Sequence, residues 1–148
     1  AYDEESDSQD MDVLSSLAGR LSEELRCVVL AVLNHDDDIL WYQLYQNGEL
    51  QDQYNSSPDY FEDVEEASGP SGGNAEKLCR AFGSRKIAEV KSILEKPGED
   101  EYIVAVQRHG HLVRALGIPL FSVGKGYSYI AGGEVPDGLS EEQLMRVG

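Results

Sequence analysis

Cys27-Val-Val-Leu-Ala-Val-Leu33, Asn34-His-Asp-Asp-Asp38, Ile39-Leu-Trp-Tyr-Gln-Leu-Tyr-Gln46 and Asn47-Gly48 follow one another without a gap, and their order decides the fold class. The first run is short, rich in β-branched residues and wholly apolar, the pattern of a strand covered on both faces. One His and three Asp interrupt it as a polar turn. Ile39 to Gln46 resumes as a strand. Successive side chains alternate there, placing Ile39, Trp41, Gln43 and Tyr45 on one face and Leu40, Tyr42, Leu44 and Gln46 on the other. Asn47-Gly48 is a strong hairpin signal, because both residues tolerate the positive φ of a type I′ turn. Glu49 to Asn55 should return as a more polar strand, less buried than Cys27 to Leu33. The expectation is a three-stranded antiparallel meander.

Helical patterns flank it. Met11, Leu14, Leu17, Ala18, Leu21 and Leu25 recur at three- and four-residue spacing, and Asp10 or Asp12 can cap that helix. Residues 56–74 carry Pro58, Gly69, Pro70, Gly72 and Gly73 and read as a long surface loop. Asn74 then opens a helix bearing Leu78, Cys79 and Phe82, with Gly83 at its end. A second helix holds Ile87, Val90, Ile93 and Leu94 ahead of Pro97-Gly98. A third runs from about Glu99 to Leu116 with Gly117 as its cap, although Tyr102-Ile-Val-Ala-Val106 also fits a strand. Leu120 to Val123 and Tyr127 to Ile130 read as two short strands, and Ser140-Glu-Glu-Gln143 as a capping box for a brief last helix. Strands and helices come in blocks, which favours an α+β fold: an antiparallel sheet built on the meander and packed by several helices. Residues 1–148 are expected to form a single globular domain, with 1–10 as an acidic arm.

The 148 residues carry a net charge of −16, which argues against binding to nucleic acid or anionic lipid, where Lys and Arg must displace counterions from phosphate. Apolar runs fall far short of the ~20 residues that cross a bilayer. No signal-peptide pattern opens the chain, and Cys27 and Cys79 read as core residues rather than a disulfide framework. A soluble, cytoplasmic protein with no membrane partner is expected; the first residue, Ala1, leaves upstream processing open. The charge is also uneven. No Lys or Arg occurs from Cys27 to Glu76, where eleven acids lie, whereas Lys77 to Lys125 holds nine bases against five acids. Such a field selects partners rather than dictating a fold.

His35, Asp36, Asp37 and Asp38 offer one imidazole and three carboxylates to a divalent metal, and His109 and His111 add two imidazoles. Residues two apart on a helix diverge by about 200°, so only one of that pair can face a shared ion. The simpler reading is a turn whose Asp side chains support their own backbone. His35, Asp36 and Asp38 are therefore weak metal candidates. No G-x-S-x-G elbow occurs, Cys79 beside Arg80 sits at core spacing, and Gly124-Lys-Gly126 reads better as a tight turn than as a phosphate loop. No catalytic residue and no cofactor is assigned.

The acidic stretch also holds a group of aromatics. The leading expectation is a non-enzymatic protein-interaction module, inhibitor- or immunity-like in character, that binds a basic protein surface. Its anchors are Trp41, Tyr45, Tyr54, Tyr60 and Phe61, with Glu62, Asp63, Glu65 and Glu66 steering the encounter. For Trp41 and Tyr45, packing beneath helices is the competing account. One alternative function is a small metal-assisted hydrolase using the His35 to Asp38 tract. Another is a subunit or excised domain of a larger assembly, suggested by the apolar positions on both faces of Ile39 to Gln46.

Overall fold

The computed structural model describes residues 3–60, 68–96 and 104–144. Helix α1 (Met11–Glu24) leads into strands β1 (Val28–His35), β2 (Ile39–Gln46) and β3 (Glu49–Asn55), and a two-residue strand β4 (Ser71–Gly72) follows. Helices α2 (Ala75–Phe82), α3 (Ile87–Glu95), α4 (Ala105–Leu116) and α5 (Tyr127–Ala131) complete the regular structure, with short 3-10 turns at Glu5–Ser8, Leu120–Ser122 and Glu141–Gln143. The sheet is antiparallel in the order β1-β2-β3-β4, so the fold is α+β around a meander. Among the described residues, no helix is long and apolar enough to cross a membrane.

Two cores explain why β2 is apolar on both faces. Ala31, Leu33, Trp41 and Tyr45 pack against Ala18, Met11 and Leu14 of α1. On the opposite face Leu40, Tyr42, Leu44 and Tyr54 pack against Leu78 and Cys79 of α2, Val90, Ile93 and Leu94 of α3, and Leu112 and Leu116 of α4. Helices of the same chain therefore cover both sides of the central strand. β1 is more exposed than its sequence suggests, because it lies at the sheet edge and several of its residues stay half-buried. An apolar run reports that a strand has covered faces; it does not report the strand's place in the order.

The local signals act where they occur. Asp10 accepts from the backbone N–H groups of Asp12 and Val13 at the start of α1, Asn74 accepts from Lys77 N–H, and Gly83 and Gly117 end α2 and α4 in the left-handed region. Ser140 and Gln143 form a capping box. The expected strands over Leu120 to Val123 and Tyr127 to Ile130 are instead a 3-10 turn and helix α5. Tyr and Ile favour strands, but a distant carboxylate, Asp7, binds the first N–H groups of α5 and fixes the helical turn. The residue 1–10 arm is accordingly packed rather than frayed at Asp7. The third expected helix is seen from Ala105 onward; its proposed beginning falls in 97–103, outside the described residues.

Asn47 and Gly48 have φ values of 52° and 79°, as a type I′ turn requires. A Cβ at Gly48 would lie 3.1 Å from Cβ of Glu23 on α1. Gly48→Val is expected to lower stability by about 1–3 kcal/mol, because a β-branched residue resists positive φ and crowds that helix. Denaturant titration of the two proteins checks this; an unchanged midpoint contradicts the strain.

Candidate functional site

The acidic turn joins β1 to β2 through Asp36 and Asp37, both at positive φ, and Asp38 N–H donates to the carbonyl of His35 at 2.9 Å. Asp tolerates this conformation better than most residues because its short polar side chain bonds nearby backbone. Asp37 does more than support its own turn. Its carbonyl accepts from Ala105 N–H at 2.5 Å and its Oδ1 accepts from Val106 N–H at 2.9 Å. These are the first two N–H groups of α4, whose own N-cap residue, Val104, makes no side-chain cap. A carboxylate from the hairpin turn thus satisfies donors that the helix leaves open, at the end where its dipole favours negative charge. Asp37→Ala is expected to cost about 1–2 kcal/mol and Asp37→Asn much less. Chemical denaturation of both variants is the measurement, and equal losses contradict a capping role.

Behind the turn, Nδ2 of Asn34 lies 3.0 Å from Nδ1 of His109 on α4. His109 is 3% exposed, and burial pushes its pKa down to about 4. The imidazole is therefore neutral near pH 7, with one ring nitrogen a donor and the other an acceptor. Among the described residues, buried Asn34 Oδ1 has no hydrogen-bond partner. His111 points outward from the same helix, as the 3.6-residue period requires, and is exposed.

In front of the turn, the Tyr60 hydroxyl donates to Asp38 Oδ2 at 2.8 Å, and the His35 ring meets Tyr60 edge-on with centroids 6.2 Å apart. His35 Nε2 also lies 3.6 Å from Asp36 Oδ2. The bond to the Asp38 carboxylate raises the Tyr60 pKa, helped by partial desolvation and the negative charges of Asp38 and Asp36. The result is an exposed aromatic ring held in place among carboxylates. His35 and Asp36 approach each other, whereas Asp37 turns to α4, Asp38 to Tyr60 and His109 to Asn34. Among the described residues, no three His, Cys, Asp or Glu side chains converge as a metal would need.

The remaining candidates separate by burial. Trp41, Tyr45 and Tyr54 are core residues, 7%, 9% and 2% exposed, and offer no ring to a partner in this fold. Their strand positions fall inward because helices cover both sheet faces. Phe61, Glu62, Asp63, Glu65 and Glu66 lie outside the described residues. Cys79 is buried in the core. Gly124-Lys125-Gly126 precedes helix α5 rather than a strand, yet that helix start is already occupied. Asp7 Oδ1 accepts from Tyr127 N–H at 2.7 Å, and its Oδ2 accepts from Ser128 N–H at 2.8 Å and from the Ser128 hydroxyl. The Ser128 hydroxyl, opposed by slight desolvation and assisted by the two N–H groups, holds the Asp7 pKa below the usual carboxylate value. Lys125 bonds Glu134. Sequence spacing could not show that Asp7 and Asp37 cap helices about 120 and 70 residues away, since local capping signals operate within one helical turn. Compared with protein-family models, with curated proteins and with solved structures, the chain matches none of them.

Proposed function

We propose that the protein is a non-enzymatic interaction module that binds a partner protein through the acidic end of its sheet. The observation that carries this reading is the Tyr60 cluster: an exposed ring fixed by Asp38 and His35, beside Asp36, whose side chain is 70% exposed. A fixed, amphipathic aromatic supplies contact area at low entropic cost, and carboxylates around it speed encounter with a cationic surface. The whole-chain charge of −16 and the base-free stretch from Cys27 to Glu76 act in the same direction. A cytoplasmic setting fits this reading. The side chains nominated for metal-assisted hydrolysis have other duties: Asp37 caps α4, Asp38 holds Tyr60, and buried His109 pairs with Asn34.

The test is capture of partners from native cells on the immobilised full chain at 50 mM and 300 mM salt, followed by kinetics with the purified partner. Asp36→Asn with Asp38→Asn should slow association several-fold at low salt. Tyr60→Ala should raise the dissociation rate, by about tenfold if the ring is an anchor. A partner whose binding ignores both salt and Tyr60 overturns the proposal.

A further inference from the structure

β1 forms an edge of the sheet, and the hydrogen bonding of β2 determines which of its backbone groups face outward. Leu40 N–H donates to Ser56 Oγ, and its carbonyl accepts from Ser56 N–H, both at 2.9 Å, so Leu40 is turned toward β3 and the chain that follows it. Backbone direction alternates along a strand, so Ile39, Trp41, Gln43 and Tyr45 turn toward β1, where their register partners are His35, Leu33, Ala31 and Val29. Val28, Leu30, Val32 and Asn34 must then direct their N–H and C=O groups away from the sheet. Among the described residues, no strand pairs with that side.

Those of Leu30, Val32 and Asn34 open onto a cavity of about 960 Å³ that every residue from Val29 to Asn34 lines in unbroken succession. Residues of both sheet faces contribute, so the space faces the strand's edge rather than either face. Leu14, Leu17 and Leu21 of α1 form one wall; Val106 and Val113 of α4 and Phe121 contribute to the other. Edge strands are usually blunted by Lys, Pro or a bulge. Val28 to Asn34 contains no charged residue and no Pro, and its register with β2 is regular. Asp7, Asp36 and Asp37 also border the groove, and its Lys125 is paired with Glu134. Ser15 meets Gln43, Gly19 meets Tyr45 and Ser22 meets Gly48, so α1 runs parallel to β2 and antiparallel to β1. The start of α1, and Asp7 just before it, therefore lies toward the His35 end of β1, which the acidic turn follows.

We infer that this groove takes an extended segment of a partner protein as a fifth strand beside β1. The segment is a run of about six apolar residues, spanning ~20 Å when extended, flanked by a Lys or Arg that meets Asp36. This rests on the interaction-module reading and names its docking mode. Outward N–H and C=O groups recurring every second residue call for matching groups at the same repeat, which a polypeptide edge supplies. Apolar walls on both sides call for apolar side chains at successive positions. A second copy fits poorly, because each copy carries −16 and would bring its own Asp7, Asp36 and Asp37 to a groove already bordered by the same acids.

The probe is a phage-displayed library of random twelve-residue peptides selected on the immobilised full chain, with the best binder synthesised and measured by fluorescence polarisation. Selected peptides should share an apolar, β-branched run with Lys or Arg beside it and no Pro within it. Val32→Pro removes an outward donor without breaking a bond to β2, and Pro is tolerated at such edge positions. It should weaken binding at least tenfold with the thermal midpoint retained, and Asp36→Asn should weaken it several-fold at low salt. If Val32→Pro does not fold, amide exchange on the unmodified protein replaces it: Leu30 and Val32 should exchange at least tenfold more slowly with peptide bound. No shared motif among selected peptides, full binding by folded Val32→Pro, or unchanged exchange at both amides overturns the inference. So does a dimer in sedimentation that Val32→Pro dissolves, because the occupant is then a second copy. A salt-sensitive natural partner that still binds folded Val32→Pro removes the groove but leaves the interaction module standing.

Discussion

Arg108→Met is expected to lower the free energy of unfolding by about 3–5 kcal/mol, a large share of the 5–15 kcal/mol that holds a typical domain folded. Arg108, on α4, is 2% exposed, and its guanidinium reaches both β3 and the end of α3. Nη1 donates to the Tyr54 hydroxyl at 2.6 Å and to the carbonyls of Ile93 and Leu94 at 2.9 and 3.3 Å, while Nη2 donates to the Lys96 carbonyl at 2.6 Å. Those carbonyls end α3, where a cation complements the helix dipole and satisfies acceptors that the helix cannot. Tyr54 links the cluster to β3, its own hydroxyl donating to Leu94 O at 2.9 Å. Met fills much of the volume but donates nothing, leaving buried oxygens without their donors. The loss should appear as a drop in melting temperature of roughly 10 °C, at 2–4 °C per kcal/mol for a chain of this size. Arg108→Lys should recover only part of it, because one ammonium cannot span acceptors arranged for a planar fork. A Met variant as stable as the parent contradicts this account of how α3, α4 and β3 are joined.

Stability should also fall as pH drops from about 6.5 to about 4, through His109. Burial depresses its folded-state pKa to about 4 from an ordinary value of 6.5, so between those values the unfolded chain holds more protons than the folded one. Stability therefore rises with pH across that window and levels off above it. The contribution is full near pH 7, smaller by about 2 kcal/mol at pH 5, and gone by about 3 kcal/mol once pH lies below both values. His109→Gln keeps a hydrogen-bonding group opposite Asn34 without titrating. Melts of both proteins at pH 7 and pH 5 isolate His109, because every other titrating group is common to the two. Parallel curves mean that His109 is protonated as easily in the folded protein as in the unfolded chain.

Alternating side chains on either side of Asn47-Gly48 were enough to read the meander, because a two-residue type I′ turn and a period of two are properties of neighbouring residues. The same holds for Asp10, Asn74, Gly83 and the Ser140 to Gln143 capping box, each of which acts within one helical turn. The acidic turn was legible as a turn, with Asp residues that tolerate its positive φ.

Tertiary structure alone decided the rest. Burial of Trp41, Tyr45 and Tyr54 required α1 on one face of the sheet and α2 to α4 on the other. Residues 127–131 became a helix because Asp7 reached their N–H groups from the other end of the chain, overriding a local preference for strand. Asp37 became the cap of α4 and Arg108 the clasp of α3 in the same way. The edge position of β1 follows from the order of strands in the sheet. Periodicity records how many faces of a strand are covered, whereas neighbours distant in sequence determine what covers them and which charge meets which helix end.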